Sequence, residues 1–212
     1  MNEREKITEF WNGLYGSGRM PWDLGGIPDR LSRFLDRASA DSVFRRVLIP
    51  GCGSGYEAAL FEKVGCQVTA LDFSQEALAR AREILTLENP GTEVSFVEGD
   101  FFEYRCERPF HLIYERAFLC SFSPGRRAEY ARKCHELLSD RGVLCGFFYV
   151  DAEKESGPPY PIPEESLKEL LRDRFELVED EAVPASCKDS LDVFDGCERF
   201  QVWRISREDK SQ

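Results

Sequence analysis

Val47-Leu48-Ile49-Pro50-Gly51-Cys52-Gly53-Ser54-Gly55, followed by Val68-Thr69-Ala70-Leu71-Asp72, decides the fold. A short apolar run ends at a glycine-rich turn, a helix follows, and a second apolar run ends on a carboxylate. Glycines in such a turn let the backbone approach a ligand without a Cβ in the way. Asp72 lies 21 residues after Gly51, about the spacing at which an acid at the second strand tip reaches the ribose hydroxyls of a nucleoside cofactor. Tyr56 takes the place of the last glycine, so the turn reads G-x-G-x-G and not G-x-G-x-x-G. That pattern favours S-adenosylmethionine over a dinucleotide.

The rest of the chain extends the same alternation. Residues 3–15 read as a helix leading into the Gly- and Pro-rich connection Gly16 to Pro28, and Pro28 is placed to start a second helix through Phe34 and Arg37. Strands are expected at 45–50, 66–72, 93–98, 110–114, 142–150, 174–183 and 199–205. Helices are expected at 55–63, from Ser74 through Leu87, from Ser123-Pro124 to Leu138, and from Pro163 to Leu171. Ser74 is a simple cap, because Ala77 three residues on cannot complete a capping box. Strands alternating with helices imply a parallel sheet with helices on both faces. The last two strands lack an intervening helix, which implies an antiparallel pair. The expected architecture is therefore α/β: a doubly wound, Rossmann-like seven-stranded sheet, mostly parallel with an antiparallel last strand. Residues 1–212 read as one domain, with residues 1–40 as an N-terminal helical cap or lid and 41–212 as the core.

Composition limits the partners. The formal net charge is −11, which argues against broad binding to a phosphate backbone. Arg45-Arg46 and Arg126-Arg127 read as solvated strand or helix ends, so a small-molecule partner is expected. Of the eight cysteines, Cys52, Cys66, Cys120 and Cys145 fall in or beside apolar strands, where cysteine behaves as a small hydrophobe. No C-x-x-C pair occurs, and His111 and His135 have no metal-ligand spacing, so no metal site is expected. The charged start Met1 to Lys6 is not a secretory signal, and no apolar run approaches a membrane span. These features point to a cytoplasmic protein that needs to be no more than a monomer, binding neither nucleic acid nor membrane.

A ligand is expected where the carboxyl ends of the strands meet. Gly51 to Gly55 would lie under the amino-acid half of the cofactor, with Asp72 on its ribose; an ordinary strand-end or helix-capping role is the alternative for Asp72. At Gly99-Asp100-Phe101-Phe102, Asp100 can accept from an adenine amino group, and Phe101 offers a backbone N–H and an apolar face. Glu115 and Arg116 end the fourth strand. Adjacent strand residues point to opposite faces, so both need not face the ligand. Arg116 suits an anionic substrate or a thiolate; a mutual ion pair with Glu115 or a loop acid is the other reading. Trp11 and Tyr15 share a helix face and, with Trp22, form an aromatic set. Aromatic faces stabilise a sulfonium cation, although from the residues alone core packing is the simpler reading.

Together these residues resemble the thiopurine methyltransferase family of class I S-adenosylmethionine-dependent methyltransferases, especially its plant and bacterial branch of thiol and halide enzymes. The family's W-x3-W-x2-G-x2-P-W-D-x-G signature appears as Trp11, Tyr15, Gly18, Pro21, Trp22, Asp23 and Gly25, with tyrosine replacing the second tryptophan. The match continues through Leu48-Ile49-Pro50-Gly51-Cys52-Gly53, Leu71-Asp72, Gly99-Asp100 and Asp140 to Gly142, and includes the branch-typical loop Gly157-Pro158-Pro159-Tyr160. The resemblance implies that Trp11, Tyr15 and Trp22 line the cofactor and methyl-transfer pocket. It also implies that Gly51, Gly53, Asp72, Phe73, Asp100, Phe101 and Arg116 contact S-adenosylmethionine, whose product is S-adenosylhomocysteine. Trp22, Arg116 and Tyr160 would meet the acceptor, with Arg116 and Glu115 as candidates for the chemistry. The thiopurine enzymes carry an arginine where Arg116 stands, whereas the halide-type enzymes tend to carry tyrosine, so the chain is plant-like in its loop and thiopurine-like at Arg116.

The implied reaction is in-line methyl transfer to a thiol, halide or related chalcogen compound. Such a nucleophile needs alignment and a dry pocket more than it needs a base. An oxygen or nitrogen acceptor would require a general base, for which Glu115 is the candidate. A nicotinamide-dependent reductase would need a further glycine near position 56 and a proton-donating pair, neither of which is evident. A non-catalytic cofactor-binding protein is the remaining alternative.

Overall fold

Val47, Leu48 and Ile49 are all buried, so the strand they form must be covered on both faces. That strand, β1 (Arg46–Pro50), is an interior strand, third from one edge of a seven-stranded sheet. The structure is a computed structural model that describes residues 3–39, 44–152, 154 and 156–206. The other strands are β2 (Gln67–Asp72), β3 (Ser95–Glu98), β4 (Phe110–Arg116), β5 (Leu138–Tyr149), β6 (Phe175–Val183) and β7 (Glu198–Ile205). Their order is β3-β2-β1-β4-β5-β7-β6. The first five run parallel, and β7 is antiparallel to both β5 and β6. The chain steps outward from β1 through β2 to β3 and then resumes on the other side of β1 with β4, so the switch point between β1 and β4 opens a crevice at the carboxyl edge of the central strands.

Among the described residues six α-helices accompany the sheet: α1 (Glu3–Gly16), α2 (Asp29–Ser39), α3 (Tyr56–Lys63), α4 (Gln75–Glu88), α5 (Arg127–Leu137) and α6 (Glu164–Arg172). Period-two alternation along β1 divides the core. Val47 and Ile49 pack with Leu31 and Phe34 of α2, Phe61 of α3 and Leu78 of α4. Leu48 faces the other way, toward Tyr130 and Cys134 of α5 and Leu167 of α6. The doubly wound arrangement expected from the sequence is therefore present, with its antiparallel closing strand. The expected boundary between cap and core, at residues 40 and 41, lies outside the described residues. No helix among them is long and apolar enough to cross a membrane.

Two local expectations change. The fifth strand begins at Leu138, not Gly142, because Leu138 already pairs with Phe110 before the register shifts and Val143 pairs with Leu112. Arg127, read as a solvated helix end, is instead buried and donates from Nη2 to the Pro161 carbonyl at 2.7 Å.

The start of α2 is capped from far along the chain. The N–H groups of Asp29 and Arg30 donate to Oδ1 and Oδ2 of Asp189, each at 2.8 Å. Asp189 is 2% exposed, and it supplies acceptors that Pro28 lacks. Asp189→Ala leaves two N–H groups at a helix start without their partner, a loss of about 1–2 kcal/mol. In a chain of this length that lowers Tm by about 2–8 °C, measurable by differential scanning calorimetry; an unchanged Tm would show that the cap contributes nothing.

Candidate active site

The turn after β1 is built for close approach. Gly51 and Gly53 have φ of 59° and 53°, in the left-handed region that suits glycine. The Phe118 ring occupies the space a Cβ on Gly51 would need, and the Tyr15 hydroxyl lies 3.0 Å from where a Cβ on Gly53 would stand. The tip of β2 is fastened to this turn. Gly53 N–H donates to Asp72 Oδ2 at 3.2 Å, and Ser74 N–H donates to Asp72 Oδ1 at 2.9 Å. Ser74 itself caps α4, its Oγ accepting from Ala77 N–H at 3.1 Å, so the helix does not depend on Asp72 for its cap.

Asp72 is 7% exposed. Burial raises its pKa to about 6, against the pull of the N–H donors of Ser74, Gly53 and Phe73, which favour the charged form. A carboxylate oxygen accepts more than one hydrogen bond, so Asp72 keeps acceptor capacity for hydroxyl donors arriving from the crevice.

Beyond Asp72 the crevice continues to the tip of β3. A chamber of about 830 Å³ is lined there by Gly99, Asp100, Phe101 and Phe102, with Tyr160 opposite and Gly51, Asp72 and Phe73 at its inner end. Asp100 Oδ1 accepts from Phe102 N–H at 2.8 Å. The Phe101 ring packs edge-on against Phe118, with centroids 5.2 Å apart. The backbone N–H of Tyr160 donates to the Cys120 carbonyl at 2.7 Å, tying the Gly-Pro-Pro-Tyr loop to the segment after β4.

A second chamber, of about 650 Å³, shares the wall formed by Gly51, Asp72, Phe73 and Phe118. Its roof is aromatic. Trp22 meets Trp11 edge-on at 5.0 Å and Tyr15 at 5.9 Å. This leading segment is pinned to the glycine turn through Ser54, whose hydroxyl donates to Asp23 Oδ2 while accepting from Arg80 Nε at 2.8 Å. The remaining walls are mostly apolar, with Leu14, Met20, Pro159, Val193 and Phe194 among them, and Arg19 and Ser121 add polar groups.

Arg116 lies along the second chamber, its side chain 7% exposed. The guanidinium sits 4.4 Å from the centroid of the Phe147 ring. Nη2 donates to the Asp189 carbonyl and is 3.7 Å from Glu198 Oε1. Nε and Nη1 are buried with no hydrogen-bond partner among the described residues, so two donors await an acceptor. The alternative of a mutual ion pair with Glu115 is not what the geometry shows, because the partner acid is Glu198.

Glu115 is not brought to either chamber. It is 1% exposed, and its Oε2 accepts from Phe118 N–H at 2.8 Å and Leu119 N–H at 3.3 Å. Burial raises its pKa to about 8, opposed by those two donors and by the charge of Arg116. Sequence reasoning missed Phe118, Asp189, Phe194 and Glu198. Glu198 carried a signal of a kind: an acid opening an antiparallel strand stands at the carboxyl edge of its parallel neighbours. Phe118 carried none beyond its place two residues after Arg116.

Comparison with known proteins agrees with this geometry. The family model for thiopurine S-methyltransferase (TPMT) matches residues 6–206. A protein named probable thiol methyltransferase 2 from Arabidopsis thaliana is 31% identical over 168 residues, covering 79% of this chain and 73% of its own length. A thiopurine S-methyltransferase from Vibrio cholerae is 28% identical over 182 residues, covering 77% and 80%. Among solved structures, the 1,6-didemethyltoxoflavin-N1-methyltransferase of Burkholderia thailandensis superposes with a TM-score of 0.76 at 21% identity, over 96% of this chain and 89% of that one. That likeness concerns the fold.

If Asp72 accepts from ribose hydroxyls, binding favours its charged form, and affinity follows its ionisation. Below about pH 6 the carboxyl is protonated and binding must release the proton; above it no such cost remains. With the raised value about 6, S-adenosylhomocysteine should bind about tenfold more weakly at pH 5 than at pH 7.5 by titration calorimetry. Asp72→Asn should weaken binding and flatten this dependence. An unchanged affinity in that variant would remove Asp72 from the binding site.

Proposed function

The chain belongs to the thiopurine S-methyltransferase family and is an S-adenosylmethionine-dependent methyltransferase; from that premise we propose that it methylates an organic thiol, taken as the thiolate, in the crevice described above. One observation carries the reading. Two adjoining chambers share the Gly51–Asp72–Phe118 wall, and the second is bordered by Arg116, whose buried Nε and Nη1 have no hydrogen-bond partner among the described residues.

The residues present fit the cofactor. Gly51 and Gly53 give a cradle that a side chain would fill, and Asp72 offers acceptors at its rim. In this assignment Asp72 takes the ribose, and Asp100, Phe101 and Phe73 border the base. When bound, S-adenosylmethionine supplies an electrophilic methyl group on a sulfonium sulfur. Trp11, Tyr15 and Trp22 would supply aromatic surface for that positive charge, a contribution of about 0.5–2 kcal/mol per favourable contact. They also keep water from the path of the nucleophile.

The second chamber selects the acceptor. Its volume of about 650 Å³ falls within the ~300–1,000 Å³ typical of sites for organic ligands. Its aliphatic and aromatic walls match a carbon body, with Trp22 at its border; Tyr160, expected to meet the acceptor, borders the first chamber instead. A bare hydrosulfide or halide ion would leave most of that surface unfilled. Arg116 supplies the polar element: its charge favours the thiolate over the thiol, and its fixed guanidinium orients the sulfur. No base is required for a nucleophile already ionised. An oxygen or nitrogen acceptor would need one, and Glu115 lines neither chamber.

We take the chain to act as a monomer in the cytoplasm. The support is indirect: all eight cysteines are free, as a reducing compartment would keep them, and the net charge of −11 disfavours nucleic acid as a partner.

The direct test is release of S-adenosylhomocysteine from S-adenosylmethionine with apolar thiols, hydrosulfide and iodide in parallel. Apolar thiols should exceed the inorganic ions in kcat/KM by about tenfold or more. Release with no thiol at all would end the assignment. Arg116→Met should lower kcat/KM for thiols by about tenfold to a hundredfold, the usual worth of a hydrogen bond to a charged group. An undiminished kcat/KM would take Arg116 out of the acceptor site.

A further inference from the structure

We propose that Glu115 is a positioning residue: by capping the turn after β4 it holds the Phe118 ring against Gly51 and so fixes the wall shared by the two chambers. The inference rests on the function proposed above, because it gives that wall a role in methyl transfer.

The turn is an unfavourable one for its sequence. Ala117 has φ of 56°, a left-handed conformation that costs a residue with a Cβ roughly 1–2 kcal/mol. Such a conformation persists only where its surroundings over-determine it. Glu115 does so from the strand side. Its Oε2 accepts the N–H groups of Phe118 and Leu119, which open the short 3-10 turn Leu119–Ser121 and would otherwise be buried donors at the start of a helical turn. The cap thus spans the strained residue and fixes the direction in which the chain leaves β4.

Phe118 is the side chain this direction places. Its ring lies against Gly51, at the one position in the glycine turn where a Cβ would collide with it. It also packs edge-on to Phe101 at 5.2 Å and to Phe122 at 4.9 Å. It lines both chambers. A shift of the turn therefore moves one wall of the cofactor crevice and one wall of the acceptor chamber together. Since transfer depends on aligning donor and acceptor closely, the carboxyl acts through Phe118 without touching either ligand.

The sequence reading made Glu115 a candidate base, and the two roles separate by experiment. Wild type is first shown to bind S-adenosylhomocysteine and to turn over a thiol; failure at that step would count against the proposed function, not against this inference. Four variants follow: Glu115→Leu, Glu115→Gln, Phe118→Leu and the Glu115→Leu/Phe118→Leu double variant. Each is assayed for S-adenosylhomocysteine affinity, kcat and KM well below its Tm. Glu115→Leu and Phe118→Leu should each weaken cofactor-product binding by about tenfold, and the double variant by little more than either, because residues acting through one contact are not additive. Glu115→Gln keeps an acceptor oxygen of the same reach and should bring binding and kcat back to within about threefold of wild type. Full additivity in the double variant, or an unaffected Phe118→Leu, overturns the proposal. So does a Glu115→Gln variant with kcat down a hundredfold and unchanged KM, which is the signature of proton transfer. If Glu115→Leu does not fold, Glu115→Gln and Phe118→Leu still decide.

Discussion

The hydrogen bond between Asp72 and the backbone of Gly53 is the constraint on which the carboxyl edge of this sheet depends. It joins the ends of two neighbouring strands through a side chain, where the ladder itself has stopped. To make it, the turn after β1 must bend back over β2, which only residues tolerant of positive φ allow. Bending back brings Gly51 under Phe118 and Gly53 under the Tyr15 hydroxyl. One tight turn thus sets the approach distances of β4 and of the leading segment. Burial at this junction raises the carboxyl's pKa, and the bond itself pulls the other way by favouring the charged form.

The antiparallel strand has a second effect at that edge. Because β7 runs against its neighbours, its first residue arrives where the parallel strands end: Glu198 pairs with Tyr149 on one side and Val183 on the other. From there its carboxylate holds Leu191 N–H at 2.7 Å and faces Arg116. The loop between β6 and β7 is folded inward by that contact, and Asp189 within it links the start of α2 to the Arg116 guanidinium. A buried cation is tolerable only with such partners. The chain supplies them from a region far from Arg116 in sequence.

Much of this was legible beforehand, for identifiable reasons. The strand spacing, the glycine turn, Asp72 at the second strand tip and the Ser74 cap are local patterns, and local patterns survive folding. The early start of β5 was not legible, because Leu138 is recruited by pairing with Phe110, a contact that no single segment contains. Nor was the direction of Glu115. Two charged residues at a strand end must part company, but which one faces the crevice depends on the turn that follows. A left-handed Ala117 is not something composition announces. Asp189 stood in a turn-rich stretch with no periodicity to mark it.

The two chambers share Phe10 and Trp11 of the first helix as well as their common wall, and differ in the segments that complete them. Residues 99–102 and 121–123, from its middle, border the first. The second is closed by Leu14, Met20 and Trp22 from near one terminus and by Val193 and Phe194 from near the other. On the proposed assignment, grip on the nucleoside and choice of nucleophile therefore share the central wall and the leading helix, and part only at the segments that border one chamber alone. Replacing Leu14, Met20, Val193 or Phe194 would reshape the second chamber and leave the Gly99 to Phe102 border of the first untouched, a division by which one scaffold could serve chemically unlike methyl acceptors.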